Sequence, residues 1–511
     1  MLIPLFYLEE DWRGERAWNQ FKQQCETKGE RFDWAALPHY SGPDDENFAR
    51  TPIVASSYQS SVDKTGRLIR PPIKPPTNVV NRLRMSLYRE DDFRSPTNLS
   101  NWRYSRFTDL SYWQDYFRTP PPIKYKPLRY RFYGRYGARP IEPIPPTNGF
   151  PMAPHPQTPV ADVLLALNLY DPAIEELRRA TLLPHSSFPL HYDPQNPFDF
   201  IRIGGSRFLG CAEVLQLRAV AELNLGHTAD ALKDTVMGLH LAETATNESF
   251  NWGLWDSRVI DMTIQPIWEG LANHQWSDSQ IGTLDGELVK FDFLAQYARQ
   301  VRENRAMSLD QVEYSRKTHN ANIDPDCNED ADLETRLTEA FYHAFPAGWY
   351  YENELSLGLA YQQLLSQFDL KKRITSNDRS RRPVLDKVSL TQPYSLLAAM
   401  TFRPISAIKS AYTQTSLDMA RIACAAERYR LVFGEYPKSL DLLEPRFICP
   451  LPHDIIDGKS LHYRSENGQI LIYSIGWDGI DDHGTVLKTS WGAVDMTRGD
   501  WSWRSNLGEN R

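Results

Sequence analysis

The sequence predicts a multidomain, mainly α chain: an extended Pro-rich N-terminal wrap, an irregular all-α helical middle domain and a small α+β C-terminal domain. Three observations predict it. Prolines, 36 of the 511 residues, crowd the first third and the loops, where they oppose regular helix and central strand. From about 160 to 370, apolar residues recur every three or four positions, the period of helices packed on one face. Beyond about 390 that period persists through one long segment, then yields to alternation and to Gly- and Asp-rich turns.

Residues 1–58 read as an N-terminal helix and loop. The run Leu2 to Leu8 is apolar and turns to Glu9, Glu10 and Asp11, like the end of an apolar helix leaving a bilayer; a small buried segment is the alternative. Seven residues fall far short of the roughly 20 that cross a membrane, and the start lacks the parts of a signal peptide. Trp12, Trp18, Phe21 and Cys25 keep helical spacing and predict a helix over 12–28, stopped by Gly29. Pro38, Gly42, Pro43 and Pro52 make 38–58 a loop-rich wrap.

Residues 59–158 form a Pro/Arg/Tyr-rich extended segment. Within it, 64–139 carries 17 Lys or Arg against five acids, a balance of +12 in a chain of net charge −8, which leaves −20 elsewhere. The overall sign excludes a generally basic nucleic-acid binder. The stretch 124–139, KYKPLRYRFYGRYGAR, mixes cations with aromatics. That mixture suits packing onto the acidic body, contact with an anionic membrane surface, or base stacking. Packing is the reading favoured by the −20 balance, membrane contact remains open, and no nucleic acid is expected. A short helix is predicted over 109–118 from Leu110, Trp113 and Phe117.

The all-α domain spans 159–370. Leu209 to Leu225, the Gly226 stop and the Thr228 cap predict a helical hairpin over 209–243 that resembles one tetratricopeptide unit, without a second copy. Further helices are predicted at about 254–274, 278–305 (with Asp278 as N-cap), 331–343 and 348–368. The polar, basic stretch after Lys371 suits a linker, 371–393.

No complete catalytic signature is present. The acidic run Asp324 to Asp332 follows the start of a calcium loop but has Glu329 where Gly belongs and Thr335 where Glu belongs. Gly204-Gly205-Ser206-Arg207 forms neither a nucleophile elbow nor a phosphate loop, and His319 and His453 lack paired-ligand spacing. The five cysteines, Cys25, Cys211, Cys327, Cys424 and Cys449, read as buried structural thiols.

The last domain spans 394–511. Ile408, Tyr412, Thr415, Met419, Ile422, Ala426, Tyr429 and Phe433 step by three or four, a helix from Ile405 to Phe433 ended by Gly434. Next come FGEYPKSLDLL and LPHDIIDGK, a hairpin around Glu466-Asn467-Gly468, YSIGWDGIDDHG and a late Val494-Asp495-Met496. Over about 405–503 this ordered set resembles the periplasmic part of type II secretion major pseudopilins. The resemblance implies a loop that binds calcium through carboxylates and backbone carbonyls. The matching carboxylates are Asp478, Asp481, Asp482 and Asp495, although His483-Gly484 stands where the family often has paired glycines. The whole chain looks like large bacterial envelope proteins carrying that tail. In those, the stretch matching Trp12-Arg13-Gly14 and Pro43 to Phe48 follows a membrane helix, which here would precede Met1. The resemblance implies a non-enzymatic envelope scaffold with protein partners, on the periplasmic side if such a helix exists and cytoplasmic as written. The alternatives are a hydrolase with its site in the helical domain and a cytosolic helical adaptor. A large polar pocket would favour the enzyme and a grooved helical surface the scaffold.

Overall fold

The computed structural model describes residues 2–37, 43–55, 61–62, 68–69, 85, 87, 102–119, 150–186, 197, 206–246, 255–318, 344–375, 396–490 and 492–505. The stretches 124–139, 324–332 and 331–343, Gly204-Gly205 and the linker beyond 375 lie outside them.

The chain is mainly helical, with small antiparallel sheets. Its helices are α1 (Leu2–Glu26), α2 (Pro52–Ala55), α3 (Leu110–Arg118), α4 (Pro159–Leu167), α5 (Asp171–Ala180), α6 (Ser206–Asn224) and α7 (Thr228–Thr246). After them come α8 (Trp255–Ala272), α9 (Asp278–Leu288), α10 (Phe293–Thr318), α11 (Ala347–Leu365), α12 (Leu396–Thr401) and α13 (Ala407–Phe433). The strands are β1 (Ser61–Val62), β2 (Leu68–Ile69), β3 (Phe368–Asp369), β4 (Ile374–Thr375), β5 (His462–Glu466), β6 (Gln469–Ser474), β7 (Val486–Lys488), β8 (Val494–Gly499) and β9 (Trp501–Arg504).

Helix α1 joins the apolar run and the helix predicted over 12–28 into one element. Pro4 stands in its first turn, where a missing N–H disrupts no helical bond. It lies along α11 at a distance only glycine allows. A Cβ on Gly14 would stand 2.2 Å from the Gly348 carbonyl oxygen, and one on Gly348 would stand 1.9 Å from that of Glu10. Asp11 Oδ1 accepts the Gly348 N–H at 2.7 Å, and Trp349 Nε1 donates to Glu10 Oε2 at 2.9 Å. Ile3, Leu5, Leu8 and Trp12 remain exposed at the start of α1.

Asp109 caps α3, which packs on α4 through Arg118 and the buried Asp162. Helices α6 and α7 form the expected hairpin, turned at Gly226 with φ +75°, and α8 packs on both. The single helix predicted over 278–305 is instead two, α9 and α10. Asp292 is the reason: its Oδ1 accepts the Leu294 and Ala295 amides at 3.2 and 3.0 Å and starts a new helix. Likewise α9 is capped by Ser277, in a reciprocal box with Gln280, and not by Asp278.

Within the basic segment, residues 102–108, just ahead of α3, dock on α8. The Trp102 N–H donates to Gln265 Oε1, Arg103 ion-pairs with Asp261 and lies over the Tyr412 ring, and Thr108 donates through N and Oγ1 to Glu269 Oε1.

Helix α13 is buried from Ala411 to Glu427 without a break. It packs on α8, α9 and α10 and also on the sheet β5-β6-β9. Asn467 and Gly468, both with positive φ, make the two-residue turn between β5 and β6. Ile470, Ile472, Trp501 and Trp503 alternate onto the inner face, where Trp501 meets the Tyr412 ring edge-on at 5.2 Å. At the end of β9, Trp268 Nε1 on α8 donates to the Arg504 carbonyl at 2.7 Å. The sheet and the helices therefore share one core.

Two predictions follow from packing and burial. Replacing Gly348 with Ala should destabilise the fold by about 1–3 kcal/mol or more in denaturant titration, because the α1 backbone at Glu10 and Asp11 occupies the place of the new methyl. Gly286→Ala, at an exposed position of α9 where nothing stands within 4 Å, should stabilise by up to about 1 kcal/mol. Equal effects would refute the close approach.

The second concerns Glu269, which burial pushes up to about 7 despite donors from Thr108 and Gln265. A carboxyl raised by folding binds protons on folding. Its stabilisation is complete below its unfolded value of 4.5 and is lost as pH rises to about 7. A rise from 4.5 to about 7 corresponds to about 3 kcal/mol. Glu269→Gln keeps an acceptor for Thr108 and should flatten the fall of Tm between about pH 4.5 and 7. An unchanged slope would count against a raised Glu269.

Candidate metal centre in the C-terminal loop

The loop leaving β6 is shaped by left-handed residues. Gly476, Gly479, His483 and Gly484 have φ of +65°, +72°, +57° and +83°. A Cβ on Gly476 would stand 2.1 Å from the Gly499 carbonyl oxygen, so this loop lies directly against the end of β8.

That approach aligns the carboxylates. Asp478 accepts the Ile480 N–H through Oδ1 and the Gly499 N–H through Oδ2, both at 3.1 Å, tying the loop to β8. Asp481 Oδ1 accepts the His483 N–H at 2.9 Å, and its Oδ2 lies 3.8 Å from His462 Nδ1. That amide bond is the main cause holding the Asp481 carboxyl below its ordinary range. The Asp482 carbonyl accepts the Thr485 N–H at 3.2 Å.

Beneath them lies Asp500, which the sequence reading passes over. It is 1% exposed. Its Oδ2 accepts the Gly484 N–H at 2.6 Å and the Asp482 amide also lowers its carboxyl, while its Oδ1 makes no hydrogen bond of good geometry. Burial, reinforced by the charges of Asp481 and Asp482, pushes this carboxyl up to about 6. A half-satisfied buried carboxylate beside two others is costly unless a proton or a cation compensates it.

Asp495 is held differently. Its Oδ1 accepts the Thr497 N–H at 3.0 Å and the Thr497 hydroxyl at 2.6 Å, and its Oδ2 faces Arg498 Nε at 2.9 Å. The threonine bonds, then Arg498, keep its carboxyl low. Lys488 lies over the Tyr104 ring. The structure thus places Asp478, Asp481, Asp482 and Asp500 on one loop and its floor, and gives Asp495 to Thr497 and Arg498. Among the described residues, no three His, Cys, Asp or Glu side chains already converge as a ligand set. The signal for Asp500 in the sequence is slight: one acid between Gly499 and Trp501 reads as a turn.

The Gly484 carbonyl accepts from Ser502 Oγ and Arg504, each at 2.7 Å, which fixes the loop to β9. Hard oxygen donors on a glycine-shaped loop match calcium chemistry better than that of softer metals. Set against protein-family models, curated proteins and solved structures, the chain has no match.

Proposed function

We propose that the chain is a non-enzymatic interaction scaffold of the bacterial cell envelope, with a pseudopilin-like tail whose acidic loop takes calcium. The observation that carries this reading is the buried Asp500, whose Oδ1 makes no hydrogen bond of good geometry, beside Asp481 and Asp482. Those three, with Asp478, would hold the ion. It would cancel their repulsion and fasten the loop to β8 and β9. Asp495 joins the set only by leaving Arg498.

Full-length protein should gain thermal stability on adding calcium, about 2.7 kcal/mol at a free concentration a hundredfold above Kd, and lose it to chelator. Asp481→Ala and Asp500→Asn should each abolish the difference. Neither heat on calorimetric titration nor a shift in Tm would refute the site.

The envelope part of the proposal rests on α1. Ile3, Leu5, Leu8 and Trp12 are 57–73% exposed on its first turns, and Arg16 lies over the Trp12 ring at 5.1 Å. Of these, Leu5, Leu8 and Trp12, at i, i+3 and i+7, share one face, and an apolar stripe ending in a tryptophan suits the headgroup boundary of a bilayer. No helix among the described residues is long and apolar enough to cross one. Full-length protein should co-float with phosphatidylcholine vesicles, and Leu5→Asn with Leu8→Asn should reduce the floated fraction several-fold. Equal flotation of the double variant would refute membrane contact through α1.

A further inference from the structure

Asp481 in the tail loop faces two imidazoles. Its Oδ2 lies 3.8 Å from His462 Nδ1 on β5, and its Oδ1 lies 3.5 Å from His483 Nδ1, two positions along the loop. A single histidine beside a carboxylate is an ordinary surface pair. Two imidazoles, one at each oxygen of the same carboxylate, make a different donor set. Nitrogen and oxygen ligands bound at about 2.0–2.1 Å to one tetrahedral zinc ion stand roughly 3.3 Å apart. Both pairs are already within about half an ångström of that spacing.

The fold holds two of the three side chains in place. His462 and Tyr473 are partners across β5 and β6, and their rings stack at 4.6 Å with 18° between the planes. Tyr473 is buried, and its side chain also hydrogen-bonds to Asp481. One tyrosine therefore orients both a histidine and the carboxylate, as outer-shell groups do around metal ligands. The His483 amide above all keeps the Asp481 carboxyl low, so it is ionised and need not lose a proton to bind a cation. The third side chain, His483, follows a left-handed residue position at φ +57°. The two pairs do not yet close on one point. His483 must turn about its side-chain bonds, and at 74% exposure its ring is open to do so.

We propose that His462, Asp481 and His483 bind a divalent transition-metal ion of the zinc class, with water completing its shell. Imidazole nitrogen suits zinc and its neighbours, whereas calcium takes oxygen ligands, so the histidines add nothing to a calcium site. The zinc centre stands without the calcium reading. Asp481 belongs to both donor sets, so where that reading holds the two ions compete for the loop.

The test is calorimetric titration of zinc into the untagged full chain, stripped of metal and free of calcium, with thermal unfolding alongside. One equivalent should bind and raise Tm. His462→Gln and His483→Gln should each weaken zinc binding at least tenfold, because even an outer-shell partner is worth about 10–100-fold in metal affinity. His155→Gln, at an exposed histidine elsewhere, should leave it unchanged. Any stabilisation by calcium should survive both site variants, and Asp481→Ala should lose the zinc effect with it. Absence of zinc binding overturns the proposal, as does zinc affinity undiminished in either site variant, which would put the ion on other ligands. Both outcomes are read without calcium, so they leave the calcium loop to its own test. The two rings are 41% and 74% exposed, so the variants should fold; if His462→Gln does not, His483→Gln alone decides.

Discussion

The complete burial of α13 is the constraint on which the C-terminal half depends. A helix enclosed on every side must be apolar or must bring a partner for each polar group. From Ala411 to Glu427 this one combines small apolar residues with hydrogen-bonded polar ones, Thr415 Oγ1 being left without a partner. Gln414 accepts the Phe293 N–H and donates to Asp418. Arg421 donates to Asp285 on α9. Glu427 accepts from Arg430 and Tyr436 and lies 2.9 Å from His274 Nδ1. Breaking such a buried pair by removing one partner costs about 3–5 kcal/mol. Those partners come from the helices on one side and from the segment leading to the sheet on the other. Satisfying α13 therefore requires both at once.

The N-terminal helix is fixed by a different device. Helices α1 and α11 approach until backbone meets backbone at Gly14 and Gly348, and Phe21 fills the space over Gly358. The chain leaving α1 is then pinned by charge. Arg305, fully buried on α10, donates to Glu30 and to the Arg31 carbonyl, each at 2.7 Å, and lies over the Phe32 ring at 4.3 Å. Arg302 adds a second pair to the same Glu30. The apolar stripe of α1 thus stays outside, because the opposite face is committed to α11.

These features were unequally readable from the residues. The extent of α13 was readable, since its apolar positions step by three and four and Gly434 takes the left-handed form that ends helices. Its all-round burial was not, because Thr413, Gln414, Ser416 and Asp418 read as a solvent face until their partners are known. The break at 289–292 was hidden because Leu288 and Phe291 keep the helical period across it, while Asp292 acts through a cap. In the tail, Asn467-Gly468 declared the hairpin by local chemistry alone. Asp500 could not declare itself: its meaning comes from Gly484 and Asp482, sixteen and eighteen positions earlier. Asp495 shows the converse, a carboxylate read with the cluster whose i,i+3 neighbour Arg498 holds it.

Burial also changes what the composition means. The formal charge of −8 counts every carboxyl as ionised. Glu354, pushed up to about 8, is mostly neutral at pH 7, and Glu213, Glu222 and Glu269, each near 7, are about half so. The folded chain is then nearer roughly −6. The lost charge is interior charge. Arg103 and Arg118 find their partners in Asp261 and Asp162, not in these carboxyls. The acidic excess that sequence arithmetic sets against the basic segment is therefore partly neutralised inside the body. What holds the described part of that segment is a small set of specific contacts along α8, α4 and the ring of Tyr412.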